Sequence, residues 1–236
     1  MTTRMTMNTG EADALNRDTL PTQVLNKLMD WIMDGTLKMG EKLNTEELAR
    51  QLKVSRMPIR EALKSLEKKG LAESVPYVGT RLITLTQDDI LQVYLMRRML
   101  EPLVAAQSCA KTEKEDIEEL EKIHEEYVRA LLAEELDAKK VYLLNRKFHF
   151  TIYSISEMNM ICHTIESLWD TLSFFKLIYG RELVNNREKA DKMIVEHQSY
   201  IDYLKAGDEE ALKKSLEKNL DGRIEGIKKK TDFYTV

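Results

Sequence analysis

The chain has 236 residues, with 36 Lys and Arg against 40 Asp and Glu, for a formal net charge of −4. Apolar residues make up 43% and charged residues 32%, with only nine Gly and four Pro, the composition of a helix-rich globular protein long enough for two domains. No stretch approaches the roughly 20 continuous apolar residues of a membrane-spanning helix, which argues against a helical transporter or receptor. The polar lead from Met1 to Asp18 holds no apolar run with a cleavage-like end. A cytoplasmic protein with a disordered lead over residues 1–18 is therefore expected. Cys109 and Cys162 are far apart, match no metal or redox spacing, and are read as buried thiols.

The charge is unevenly divided. Between Thr19 and Leu85 stand eleven Lys and Arg against eight Asp and Glu, a net +3, so the remainder carries −7. A basic front and an acidic back suggest two jobs in one chain.

In chain order, the first helix is predicted from Thr19-Leu-Pro-Thr22, where a threonine can cap and Pro21 suits the first turn. Val24, Leu25, Leu28, Trp31 and Ile32 give it a helical apolar period, and Asp34-Gly35 ends it. Asn44 followed by Thr45-Glu46-Glu47 signals the start of a second, short helix ending near Leu52. Ser55 can cap a third, with Pro58 still in its first turn. There Ile59, Ala62, Leu63 and Leu66 face inward, and Gly70 stops it. Two short strands around Tyr77-Val78-Gly79, the second running Arg81-Leu-Ile-Thr-Leu85, predict a hairpin. From Thr86 the chain is helical: a first helix through Val93, Leu100 and Val104, then patterns near 114–134, 137–156, 159–179, 187–206 and 208–232. Six helices with short connections describe a bundle. The fold expected is mainly α, with a winged helix-turn-helix over 19–85 and a helical effector-binding and dimerisation domain over 86–236.

The apolar positions of the third helix leave Arg56, Arg60 and Lys64 together on its outer face, at i, i+4 and i+8. From Lys53 to Lys69 there are six basic residues and two acids. Such a helix can enter a major groove, where an Arg bridges the O6 and N7 of guanine. Arg56, at the helix start, is the expected base reader. Ser55 and Met57 are expected to touch phosphate or a thymine methyl, and the hairpin residues Tyr77, Gly79 and Thr80 to lie on the backbone or in the minor groove. A basic outer face is equally what a merely solvated amphipathic helix carries.

Gly40-Glu-Lys-Leu-Asn-Thr-Glu-Glu-Leu-Ala49, Val54-Ser-Arg-Met-Pro-Ile-Arg-Glu-Ala-Leu63 and Leu66-Glu-Lys-Lys-Gly-Leu71 closely resemble the GntR family of bacterial regulators. The resemblance spans about residues 19–85 and implies that Arg56 and Arg60 contact operator DNA. Lys53 stands where glycine is common, Met39 where the family usually has proline, and Glu46 where some members carry a DNA-contacting arginine.

The back half has no strand pattern, as an α/β effector domain would require. Arg97-x-x-Leu-Glu101, Asn145-x-x-Phe-His149, Asn159 and Gly207-Asp208 resemble the FCD branch of that family, the FadR-type regulators, over roughly 87–232. Many FCD domains hold a divalent metal such as Zn or Ni through an acid and a His four residues on, then two later histidines. Carried over, these positions are Asn145, His149, His197 and Asn219, so His149 and His197 keep imidazoles while asparagines replace an acid and a histidine. Amide oxygens are weak donors for first-row metals. A direct hydrogen-bonding role in effector binding is the alternative for all four, and ordinary buried histidines the third reading. His124 and His163 are given no role.

Arg97 is the expected effector anchor, because a guanidinium clamps a carboxylate with two hydrogen bonds; an ion pair with Glu101, one turn on, competes with that role. Arg223, one turn after Asn219, is a further effector candidate. Trp169, Phe174, Phe175 and Tyr179 are read as packing. The resulting expectation is a cytoplasmic homodimeric repressor that binds operator DNA and senses a small carboxylate, and is not an enzyme. A metal-free acyl-CoA sensor and a metal-dependent hydrolase or lyase are the alternatives. The last lacks a matched acid and a nucleophile motif.

Overall fold

The computed structural model describes residues 19–172 and 187–229. Phe174, Phe175, Tyr179 and the lead over residues 1–18 lie outside them. Three helices come first: α1 (Leu20–Met33), α2 (Thr45–Leu52) and α3 (Arg56–Lys68). A hairpin of β1 (Ala72–Val75) and β2 (Gly79–Leu82) follows. The remaining described elements are helices: α4 (Gln87–Cys109), α5 (Lys114–Leu131), α6 (Ala138–Ile155), α7 (Asn159–Thr171), α8 (Arg187–Ala206) and α9 (Glu209–Lys229).

Helix starts follow the local chemistry. The Asn44 side chain accepts from the backbone N–H groups of Glu46 and Glu47 at 2.9 and 3.2 Å, satisfying donors that have no partner within the helix. Thr86 and Asp89 form a reciprocal capping box at the head of α4. Ser55 occupies the N-cap of α3, but its side chain makes no capping bond. α2 ends on Lys53 in the left-handed region, φ 55°, where a residue with a Cβ costs about 1 kcal/mol more than glycine. Gly40 has φ +75°, and a Cβ there would stand 3.0 Å from Thr84 Oγ1, so the turn before α2 has use for a glycine on both counts.

Two predicted boundaries shift. The hairpin pairs Val75 with Gly79 and Ala72 with Leu82, so Pro76, Tyr77 and Val78 form its loop. Past Leu82 the ladder carries one bond further, the Ile83 N–H donating to the Leu71 carbonyl at 3.1 Å, and the second strand stops short of Leu85. α5 stops at Leu131 rather than near 134, since Glu134 and Glu135 would place negative charge at the negative end of the helix dipole.

The apolar periods fix the packing. Val24, Leu28, Ile32, Leu43, Leu48, Ile59, Ala62, Leu63, Leu66, Leu71 and Leu82 form one core under α1–α3 and the hairpin. A second holds Val104, Leu120, Phe148, Ile152, Tyr153, Trp169, Tyr200 and Leu204 in the bundle. Leu85 and Ile90 join α4 to α7 and α9 through Leu168, Leu172, Leu220 and Ile224. Arg98 bridges α4 to Glu217 and Asp221 on α9 at 3.1 and 2.9 Å.

Candidate DNA interface and effector site

α3 buries Pro58, Ile59, Ala62, Leu63 and Leu66 and leaves Arg56, Met57, Arg60 and Lys64 exposed. The side chain of Arg56 is 61% exposed and reaches across the helix-turn-helix to Glu46, Nη2 to Oε1 at 2.8 Å. Only the unusual place of the acid at position 46 hinted at that pair. An ion pair this exposed is worth about 0–1 kcal/mol, so it steers the guanidinium without withholding it from DNA. Tyr77 stands fully exposed at the hairpin loop with φ 64°. Gly79 opens β2 beside it. Thr80 behaves differently from its neighbours: its hydroxyl donates to Glu67 Oε1 at 3.1 Å and its carbonyl accepts from Leu43 at 2.8 Å. It ties the wing to α3 and to the chain just ahead of α2.

In the bundle, Arg97 is paired with Glu101. Nε and Nη2 meet the two carboxylate oxygens at 2.5 and 3.2 Å, and the guanidinium lies 4.4 Å from the Trp169 ring centre. Glu101 also accepts from Tyr153 OH at 2.9 Å and from Trp169 Nε1 at 2.7 Å. Both charges are buried. Burial works against the charge on Arg97, but Glu101 more than offsets it, and the arginine stays protonated. The two-pronged clamp expected to meet an effector is thus closed on Glu101. Arg97 Nη1 is left buried without a partner.

On the other side of Tyr153 lie the residues carried over from the FCD pattern. His149 Nδ1 is 3.3 Å from Tyr153 OH, and its ring centre is 5.3 Å from that of His197. His197 is stacked between Phe148 and Tyr127, with centroids 4.0 and 4.5 Å away. Burial, with His149 and His124 nearby, pushes its pKa well below the usual histidine range, so the ring is neutral. Its Nε2 meets Asn145 Oδ1 at 3.1 Å; the amide oxygen accepts, which leaves Nδ1 a lone pair with no partner. Asn145, His149 and His197 are therefore together.

Asn219 and Arg223 act on Glu196, the residue before His197. Burial raises the Glu196 pKa, while Tyr200, Arg223 and Asn219 lower it in part. Tyr200 OH donates to the same carboxylate. Neither Glu196 nor Tyr200 was predicted; an acid inside α8 carries no signal separating it from its solvated neighbours. As a metal site the set fits poorly. Its donors are two imidazoles and two neutral amides, one amide already engaged by His197 and the other turned to Glu196. Among the described residues no three His, Cys, Asp or Glu side chains converge as ligands.

Comparison with known proteins decides the family. Residues 20–82 match the model of bacterial regulatory proteins of the gntR family, and residues 92–222 match the FCD domain. The chain belongs to the GntR family. Its relatives include the HTH-type regulator McbR of Escherichia coli, 32% identical over 84% of this chain and 87% of that protein. The gluconate operon transcriptional repressor of Bacillus licheniformis is 28% identical over 90% and 88%. The solved structure of E. coli McbR/YncC superposes with a TM-score of 0.76, at 28% identity, over 91% of this chain and 99% of that one.

This GntR protein is a ligand-responsive, DNA-binding regulator of transcription, with the winged helix-turn-helix in front and the FCD ligand-binding bundle behind. The family is one of regulators, not enzymes. Among the described residues no helix is long and apolar enough to cross a membrane.

Proposed function

We propose that this GntR regulator is a cytoplasmic homodimeric repressor that reads a twofold-symmetric operator. Its bundle takes up a small carboxylate directly on side chains, without a resident metal. The observation that carries the DNA reading is the exposed face of α3, where Arg56, Arg60 and Lys64 are held out by five buried apolar residues. Arg56 and Arg60 read base edges, Lys64 and the Tyr77–Gly79 loop hold phosphates, and two half-sites one helical turn apart engage the two copies.

A second copy is supported by α4. Leu95, Met99 and Leu103 recur every four residues on one face and are 45%, 76% and 43% exposed, while Ile90, Val93, Arg97 and Glu101 are buried against the bundle. An exposed apolar stripe on an otherwise packed helix is an interface in waiting, and set against itself about a twofold axis it is self-complementary. Met99→Glu is expected to halve the molar mass measured by light scattering and to weaken operator binding by about 100-fold, through loss of the linked half-site. A variant that remains a dimer would move the interface elsewhere.

The effector reading rests on Arg97 Nη1, a buried donor lacking an acceptor, and on Arg223 near the Glu196 carboxylate. A carboxylate oxygen satisfies the first with a charge-assisted bond. The expected metal-free state is checked by elemental analysis of protein dialysed without chelator after exposure to Zn(II) or Ni(II). The expected content is far below one ion per chain. One ion per chain, lost in His149→Ala, would overturn the direct mode.

A further inference from the structure

Between the reading helix and the bundle lies one buried carboxylate held from both sides. Asp170, on α7, is 8% exposed. Its Oδ2 accepts from Lys69 Nζ at 2.8 Å, and its Oδ1 meets Arg146 Nη2 at 2.9 Å. Lys69 is the C-cap of α3. The chain after it also approaches α7 closely, since a Cβ on Gly70 would stand 3.7 Å from Thr171 Oγ1. A second pair, Lys139 with Asp30, ties the first turn of α6 to α1.

The neighbours of the two gripping residues are the walls of the effector site. Asp170 follows Trp169, whose indole donates to Glu101 and lies against Arg97. Arg146 follows Asn145, the partner of His197. Within a helix, adjacent residues move as one rigid body on the scale of an ångström. A shift of α6 against α7 at the site therefore changes the spacing of Arg146 and Asp170, and with it the hold on Lys69. Asp170 is poorly hydrated, so it does not tolerate an unpaired state cheaply.

We infer that Arg146, Asp170 and Lys69 form the joint through which the effector site and the recognition helix of this chain bias each other. They are positioning residues: Asp170 touches neither DNA nor the effector site, and Lys69 acts by fixing the end of α3. The inference rests on α3 being the DNA reader. Because coupling between two sites is reciprocal, DNA binding must be felt at Trp169 even with no effector present.

The test uses that reciprocity. The full chain is labelled with 5-fluorotryptophan, and ¹⁹F spectra are recorded as a duplex selected by the protein from a random pool is added. Fluorescence anisotropy of the same duplex reports binding separately. The chain has two tryptophans. Trp169, 1% exposed, is the resonance with the smaller H₂O/D₂O shift, and Trp31, partly exposed, is the control. The Trp169 resonance is expected to shift with DNA in the native chain and in Lys69→Arg. In Lys69→Gln the shift should vanish while the dissociation constant changes less than about threefold; Asp170→Asn should behave as Lys69→Gln. A Trp169 resonance indifferent to bound DNA, or a shift that survives in Lys69→Gln, overturns the joint. Failure of the native chain to select any duplex overturns the DNA reading instead.

Discussion

Arg56→Ala is expected to cut sequence preference sharply while leaving the fold and the oligomer intact. A bidentate arginine–guanine contact discriminates by about 1–3 kcal/mol, and a dimer loses it twice, so binding to the preferred duplex should fall by at least about 30-fold. Binding to random duplex, carried by phosphate contacts, should change far less. The Glu46 partner does not alter the sign: an exposed pair contributes about 1 kcal/mol at most, less than the base contact that replaces it. Lys64→Ala is the contrasting case, a nearly uniform weakening with a shallower salt dependence, since a phosphate contact releases counterions without reading sequence. Electrophoretic or anisotropy titrations on specific and random duplexes at two salt concentrations separate the two. Unchanged preference in Arg56→Ala would remove α3 from the role of reader.

The largest loss of stability is expected at Glu101. One carboxylate accepts from Arg97 twice, from Tyr153 and from Trp169. Glu101→Ala strands a buried guanidinium, and removing one partner of a buried pair costs about 3–5 kcal/mol. Tyr153 and Trp169 lose their acceptor as well, at about 1–3 kcal/mol each if no water replaces it. A melting temperature lower by about 10 °C or more follows for a chain of this size. Glu101→Gln keeps an acceptor but not the charge and should fall between. The double variant Arg97→Met/Glu101→Leu should recover much of the loss, because exchanging a whole buried pair for apolar side chains is often close to neutral. Calorimetric melts of the three variants decide it. A Glu101→Ala protein that melts within two degrees of the native chain would mean that the pair contributes little.

Much of the front unit was legible from local signals. The period of Ile59, Ala62, Leu63 and Leu66 set the buried face of α3, and Arg56, Arg60 and Lys64 had to stand opposite. Asn44 and Thr86 announced the helices they cap. The hairpin was located, but its second strand runs Gly79–Leu82 rather than Arg81–Leu85, because alternation shows which residues can lie in a strand and not where the partner strand begins and ends. The bundle was legible as helices and not as a site. Asn145, His149 and His197 were brought together by resemblance to FCD domains, not by spacing. Arg97 and Glu101 could be paired at one helical turn, yet Trp169 joins them from 68 residues away. Lys69 and Asp170 are 101 residues apart. Periodicity tells which face of a helix is buried, not which helix covers it, so acids such as Glu196 and Asp170 read as solvated until the helices are assembled.

The four-donor knot around Glu101 also bears on how this bundle is able to change over generations. A substitution at Glu101 leaves Arg97, Tyr153 and Trp169 each with an unmatched charge or hydrogen bond, and one at any of those three leaves the buried Glu101 short of a donor, so these positions resist exchange one at a time. Asn145, Asn219 and Arg223 carry fewer ties: each is half-buried, Asn145 accepts from His197 and the other two act on Glu196, so each is replaceable singly at a lower cost. New ligand preferences in descendants of this chain should therefore arise first at the rim of three, with the knot carried along unchanged as the frame on which they are displayed.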